Sequence, residues 1–252
     1  MKKLFVLLVA VVIVLPAIAL SEGVFTDGWL DASLDDLLKA KNALNQQIAK
    51  AMFHQEAPAA GFTIEGEGTD IADGFTLSEG LWRRTFSVPN AVMYEDKITL
   101  SKGGKNETVD ISDAVIVVPV QSKGQTDVDY VMVETDSSWC ISYEPIGMDG
   151  TLEASGDGGF VGNCFACTVP TIVEIEAKNG HGNLTNFQVR LYSVSSRGTL
   201  SSEYGSELML NELIGTGESA SYRAIIKPED DIVAYLWSVE TDQGVTWSIS
   251  AK

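Results

Sequence analysis

Two segments of this chain are near copies of each other. Val133-Glu134-Thr135-Asp136 is followed shortly by Trp139, and Val239-Glu240-Thr241-Asp242 is followed shortly by Trp247. A second anchor recurs upstream, where Gly66-Glu67-Gly68 stands as far before Phe75 as Gly156-Asp157-Gly158 stands before Phe165. Shared order and spacing at both ends of a unit predict one module present twice in tandem. The interval between anchors is longer in the second copy, and loops absorb added length most easily. The extra residues are expected between Lys178 and Pro228, where Gly, Ser and Asn are dense.

The N-terminus has the layout of a secretory signal peptide. Met1-Lys2-Lys3 leads into an apolar run from Leu4 to Val14, then Pro16, then the small-x-small site Ala17-Ile18-Ala19. Cleavage after Ala19 assigns residues 1–19 to the signal and makes the expected location secreted or extracellular. The alternative is a retained anchor, for which Leu4 to Leu20 is short, since a spanning helix needs about 20 residues. No Cys follows the run, which argues against a lipid anchor.

From Ser33 the pattern is helical. Leu34, Leu37, Leu38, Leu44, Ile48 and Met52 approximate one face at the helical period. Ser33 is placed to cap the first turn, Asp36 answers it, and the acidic start suits the positive end of the helix dipole. Residues 20–60 are therefore read as one amphipathic helix and a linker, with the apolar face covering a sandwich or a second copy of the helix.

Beyond Gly61 the period changes to two. Leu81 to Phe86, Ile98 to Leu100, Tyr130 to Val133 and Trp139 to Tyr143 are strand candidates in the first unit. Phe165 to Thr168, Thr171 to Ala177, Phe187 to Tyr192, Glu207 to Asn211, Ser221 to Ile226, Val233 to Val239 and Thr246 to Ala251 follow in the second. Short strands at such spacing predict a mainly β fold of two tandem jelly-roll-like sandwiches, residues 61–146 and 154–252. Ala114 to Val118 does not alternate, so it is expected to be buried on both faces or central in its sheet.

The second unit, with Phe187-Gln188-Val189-Arg190-Leu191-Tyr192 in its middle and Tyr235 to Val239 before Trp247-Ser248-Ile249, resembles the bacterial pre-peptidase C-terminal domain and related secreted jelly-roll modules. The resemblance implies noncatalytic β-sandwiches that accompany secreted enzymes, some of which bind matrix polymers or calcium. Members often carry an Asp just before the Leu-Tyr pair, where Gln188 and Arg190 stand here, and the first unit has no Leu-Tyr strand.

With 35 acidic against 17 basic side chains the net charge is −18. Nucleic-acid binders need clustered Lys and Arg to release counterions, and Arg83-Arg84 and Lys102 with Lys105 are isolated pairs in acidic surroundings. Neither nucleic acid nor, once the signal is removed, membrane is an expected partner. Calcium is the one cofactor the sequence admits, because Glu65, Glu67, Asp70 and Asp73 crowd one loop and Asp157 opens its counterpart. A solvated acidic loop is the competing reading.

Cys164-Phe165-Ala166-Cys167 lacks the partners of a zinc site. On a strand Cys167 should face the core with Phe165 while Cys164 points out, which leaves a Cys140–Cys164 bridge open across the joint of the units. Trp139 and Trp247 fall in phase with Ile141 and Ile249 and read as core. Trp82 and Trp237 are the better candidates for stacking on a sugar ring, with Tyr204 and Tyr222 beside them. His54 and His181 form no catalytic pattern, and no nucleophile, base and orienter can be assembled. The expected role is noncatalytic recognition of an extracellular carbohydrate or protein. The alternative is a structural or cell-surface subunit that oligomerises through its helix or strand edges.

Overall fold

A computed structural model of the chain describes residues 60–92, 95–111, 115–122, 126–180, 182–195, 199–200, 207–229 and 232–252, together with 33, 34, 36, 37, 39–41, 43, 44 and 47. The expected signal peptide, most of the linker, His54, His181 and Tyr204 lie outside the described residues. Residues 42–252 form one compact unit and residues 1–41 another.

The described residues hold sixteen strands in four antiparallel sheets of four. The first eight are β1 (Phe62–Glu67), β2 (Asp70–Leu77), β3 (Gly80–Ser87), β4 (Lys97–Lys102), β5 (Lys105–Asp110), β6 (Val115–Ser122), β7 (Thr126–Glu134) and β8 (Ser138–Pro145). They make sheet I, in the order β1-β8-β3-β6, and sheet II, in the order β2-β7-β4-β5. The second eight are β9 (Ala154–Asp157), β10 (Phe160–Val161), β11 (Thr171–Asn179), β12 (Thr185–Ser195), β13 (Glu207–Ile214), β14 (Ser219–Ile226), β15 (Ile232–Glu240) and β16 (Val245–Ala251). They make sheet III, β10-β15-β12-β13, and sheet IV, β14-β11-β16-β9.

Raising each strand number of sheet I by eight gives sheet IV, and the same step takes sheet II to sheet III. Register repeats too: Gly66 pairs with Trp139 as Gly156 pairs with Trp247, and Asp70 with Val133 as Phe160 with Val239. The added length of the second half falls within the expected interval. β4 turns straight into β5 through Gly103 and Gly104, at φ of 56° and 74°, whereas β12 ends at Ser195 and β13 begins at Glu207.

Sheets I and II enclose one apolar core around Phe86, Ile98, Val131, Val133, Trp139 and Ile141. Sheets III and IV enclose another around Ile175, Phe187, Val189, Trp237, Trp247 and Ile249. A third cluster lies between the halves, joining Leu81 and Val117 of sheet I to Val161, Val194, Ala234 and Leu236 of sheet III, with Ile146 and Cys164 from the connecting segments.

That third cluster explains the non-alternating run of β6, whose Val115 and Val117 face the second half while Ile116, Val118 and Val120 face the first core. β6 therefore packs on both faces, though most of its side chains are only half-buried and it ends its sheet instead of lying central. β5, with sequence Lys-Asn-Glu-Thr-Val-Asp, escapes the sequence pattern because it is an edge strand with almost every side chain exposed.

Helical residues begin at Leu34. Ser33 caps them as expected, its Oγ accepting from the Asp36 backbone N–H at 3.2 Å and donating to Asp36 Oδ2 at 2.6 Å. Leu34, Leu37 and Leu44 of the expected apolar face are exposed.

Candidate functional site

The tryptophans expected at a surface are in the core. Trp82 is 3% exposed and Trp237 is 1% exposed. Trp82 shares the inward phase of β3 with Phe86. β15 is covered on both faces, by the second core and by the cluster between the halves, so either phase buries its residues. Tyr222 is exposed on β14.

The acidic residues do not converge. Glu65 and Glu67 lie on β1 of sheet I, Asp70 and Asp73 on β2 of sheet II, all exposed. Asp157 accepts a hydrogen bond from the Gly244 backbone N–H at 2.7 Å, an ordinary loop contact of the second half. Among the described residues no group of three or more His, Cys, Asp or Glu side chains is placed to hold a metal ion.

The Cys140–Cys164 bridge that the sequence left open is not formed, and all three thiols are free. Cys164 and Cys167 do face opposite ways, but both ways are buried. Cys167 belongs to the second core and Cys164 to the cluster between the halves. Burial pushes the Cys164 thiol up to about 12.

A different set of residues forms the site. In the first half a cavity of about 280 Å³ is lined by Leu77, Arg84, Leu100, Lys102, Lys105, Asn106, Glu107, Val120, Val128 and Tyr143. It draws on both sheets, including β5 and β6, the strands that end them. The alternation of β3 sends Arg84 inward between Trp82 and Phe86, and the guanidinium carbon lies 4.8 Å from the Phe86 ring centroid.

Arg84 Nη2 donates to Glu107 Oε1 at 2.6 Å and Nη1 to Oε2 at 3.4 Å. Its Nε is buried without a partner. Burial works against the guanidinium charge, yet the bonds and fields of Glu107 and Tyr143 outweigh it and hold the pKa above its ordinary value. In return the hydrogen bonds from Arg84 draw the Glu107 carboxyl below its usual range. Tyr143 sits opposite Arg84 in the β3–β8 register. Its ring stacks on Phe62 at 5.1 Å and tilts against Phe75 at 4.9 Å, which holds it in place, and burial raises its phenol.

The second half shows that the fold does not require this cluster. Counted from the paired tryptophans, Ala251 stands where Tyr143 does, and the residue opposite Ala251 is Val173. An apolar pair thus occupies in one copy the position of the arginine and tyrosine in the other. A buried guanidinium carries a desolvation penalty of several kcal/mol before its partners offset it. Sequence reading missed Arg84, because Trp82 in the same phase was expected at the surface; Phe86, two residues on, was the signal that could have placed it inward, and nothing signalled that Glu107 and Tyr143 meet it.

No family model matches the chain, and no curated protein matches it. Among solved structures it is similar to the tandem CBM22-1–CBM22-2 domain of Paenibacillus barcinonensis Xyn10C, at 7% identity over 79% of this chain and 94% of that one, with a TM-score of 0.26. It is similar to a chain of the T13 particle of the virus IBDV, at 10% identity over 85% of this chain and 75% of that one, TM-score 0.26. It is also similar to the PBSX exported protein XepA, at 9% identity over 77% and 85%, TM-score 0.22. These are distant likenesses between β-sandwich proteins, and residue roles rest on the geometry of this chain.

Proposed function

We propose that this chain is an exported, noncatalytic binding protein made of two copies of one jelly-roll β-sandwich, near residues 61–146 and 154–252. The first copy takes the ligand and the second is the base on which it is mounted. The observation that carries this reading is the buried Arg84 on a cavity wall with Tyr143 and Glu107, where the pair that replaces Arg84 and Tyr143 in the other copy, Val173 and Ala251, is apolar. A polar group kept in a core at energetic cost, where a duplicate does without it, points to a ligand.

At about 280 Å³ the cavity is just below the usual range for small-molecule pockets, roughly 300–1,000 Å³. It suits one end group of an extracellular carbohydrate or protein. Its polar lining is the Arg84–Glu107 ion pair with Lys102, Lys105, Asn106 and Tyr143, a set suited to holding a polar end group. Calorimetric titration with glycan and peptide panels tests the reading. Binding that Arg84→Met removes supports it, binding that Arg84→Met leaves unchanged places the site elsewhere, and hydrolysis of any panel member ends the noncatalytic claim.

Exposed Leu34, at 71%, with Leu37 and Leu44, favours a second reading, assembly through the helix. Light scattering with and without residues 24–60 separates the two, since assembly predicts oligomers that truncation dissolves.

A further inference from the structure

We propose that the end group filling the first-copy cavity is a carboxylate on an aliphatic side chain, as the C-terminal residue of a peptide or protein presents it. The inference rests on the binding role proposed above and adds the chemical class of the ligand.

The guanidinium defines the head group. The Arg84 side chain is 8% exposed, lines the cavity and has a buried Nε with no partner. An arginine fork is built to take a planar carboxylate through paired N–H donors. Glu107 already demonstrates the fit, with its two carboxylate oxygens on Nη1 and Nη2. Its side chain is 57% exposed and projects from the edge strand β5, so it can turn to water and yield its place. Glu107 is in effect an internal stand-in for the ligand's carboxylate.

Charge at the mouth agrees. Lys102 and Lys105 are exposed beside the cavity in a chain of net charge −18. A local positive patch concentrates anions there, whereas the rest of so acidic a surface repels them.

The walls define the body. Leu77, Leu100, Val120 and Val128 are aliphatic, and they match a branched apolar side chain. A sugar ring would ask for an open aromatic platform, but Tyr143, the aromatic side chain of the lining, is itself buried against Phe62 and Phe75. β5 adds a means of holding the preceding residues. It ends sheet II among the described residues and contributes Lys105, Asn106 and Glu107 to the lining. An extended peptide can pair with such an edge while its last side chain enters the pocket.

The test is titration calorimetry on the full mature chain with three probes: a pentapeptide ending in leucine with a free carboxylate, the same peptide as its C-terminal amide, and glucuronate. The acid peptide is expected to bind, with roughly ten-fold or greater weakening on amidation, the scale of a lost charge-assisted bond. Arg84→Met should abolish binding. Should that variant fail to fold, Glu107→Gln decides, because Glu107 is exposed and its loss removes a competitor: affinity for the acid peptide should rise several-fold.

Equal binding of acid and amide, or weaker binding by Glu107→Gln, overturns the inference. Glucuronate bound more tightly than the peptide, in an Arg84-dependent way, overturns it while leaving the binding role standing. Silence of all three probes in both wild type and Glu107→Gln overturns it too. The broader role then stands only if the neutral glycans of the panel bind in an Arg84-dependent way.

Discussion

The indole Nε1 of Trp247 donates to the carbonyl oxygen of Gly158 at 2.9 Å, and in the first half Trp139 Nε1 donates to the carbonyl of Gly68 at 3.1 Å. Both glycines sit at positive φ, 72° and 69°, where a side chain would be strained. The segments that repeat in the sequence thus meet in space, the tryptophan of each half's last strand closing over the glycine turn that ends its first strand. What the duplication preserves most visibly is a packing device.

Alanine at Gly66 or Gly156 tests that device. A Cβ at Gly66 would lie 2.3 Å from Trp139 Cζ2, and one at Gly156 would lie 2.9 Å from Trp247 Cζ2. Gly66→Ala should destabilise by about 1–3 kcal/mol, the usual range for overpacking, and Gly156→Ala by less. Urea midpoints of the two variants check the order; equal and negligible losses would refute the role given to the tryptophans.

Alternation in the sequence was enough to locate the inward phase of most strands, because each sandwich core selects one face. It could not show that sheets I and III are covered on their other faces as well. Cys164 was misplaced because the side expected to face water meets the cluster between the halves, and Trp237 because Ala234 and Leu236 fill that cluster while Trp237 itself lies in the second core. Arg84 is a separate case. The structure puts it inward with Trp82 and Phe86, a phase hidden while Trp82 was expected at the surface, and its partners arrive from β5 and β8, whose proximity is a property of strand order.

The Arg84–Glu107 pair should give stability a specific acid dependence. The Glu107 pKa is lowered in the folded state, chiefly by hydrogen bonds from Arg84. Its contribution is therefore complete above the unfolded glutamate value of about 4.3 and is lost as pH falls through the lower folded value. Because Glu107 is more than half exposed, solvent screening limits the effect to about 1 kcal/mol or less. Wild type should exceed Glu107→Gln in stability at neutral pH, and the gap should close on acidification; a gap independent of pH would mean the ion pair is not its source.

Thiol chemistry should follow burial. Cys164, with its pKa pushed up to about 12, and Cys167 are enclosed, while Cys140 is half-buried on β8, with burial and the Glu65 charge raising its thiol. Native protein should label slowly at Cys140 alone, and all three sites should label after unfolding without reductant. Two thiols that stay blocked in the unfolded chain would reveal a disulfide.

Arg83 provides the sharpest test of how the halves act together. It points away from Arg84 on the same strand, toward the second half, where Nε donates to the Val161 carbonyl at 2.6 Å, Nη1 to Glu144 Oε2 at 2.7 Å and Nη2 to Asn163 Oδ1 at 3.4 Å. Asn163 in turn accepts from the Gly147 N–H at 3.2 Å and donates to Asp149 Oδ1 at 2.7 Å, so one side chain organises the joint from Gly147 to Asn163. Arg83→Ala should cost about 1–3 kcal/mol, as for hydrogen bonds to a charged group. The loss should fall on the joint: thermal unfolding should broaden or divide into two steps, and amide exchange should quicken at residues 147–164 ahead of either core. Since residues 83 and 84 face opposite sides of β3, ligand titration at the Arg84 cavity should be unchanged in this variant. A single unaltered transition would mean that the apolar cluster of Leu81, Val117, Val161 and Leu236 holds the halves without the arginine.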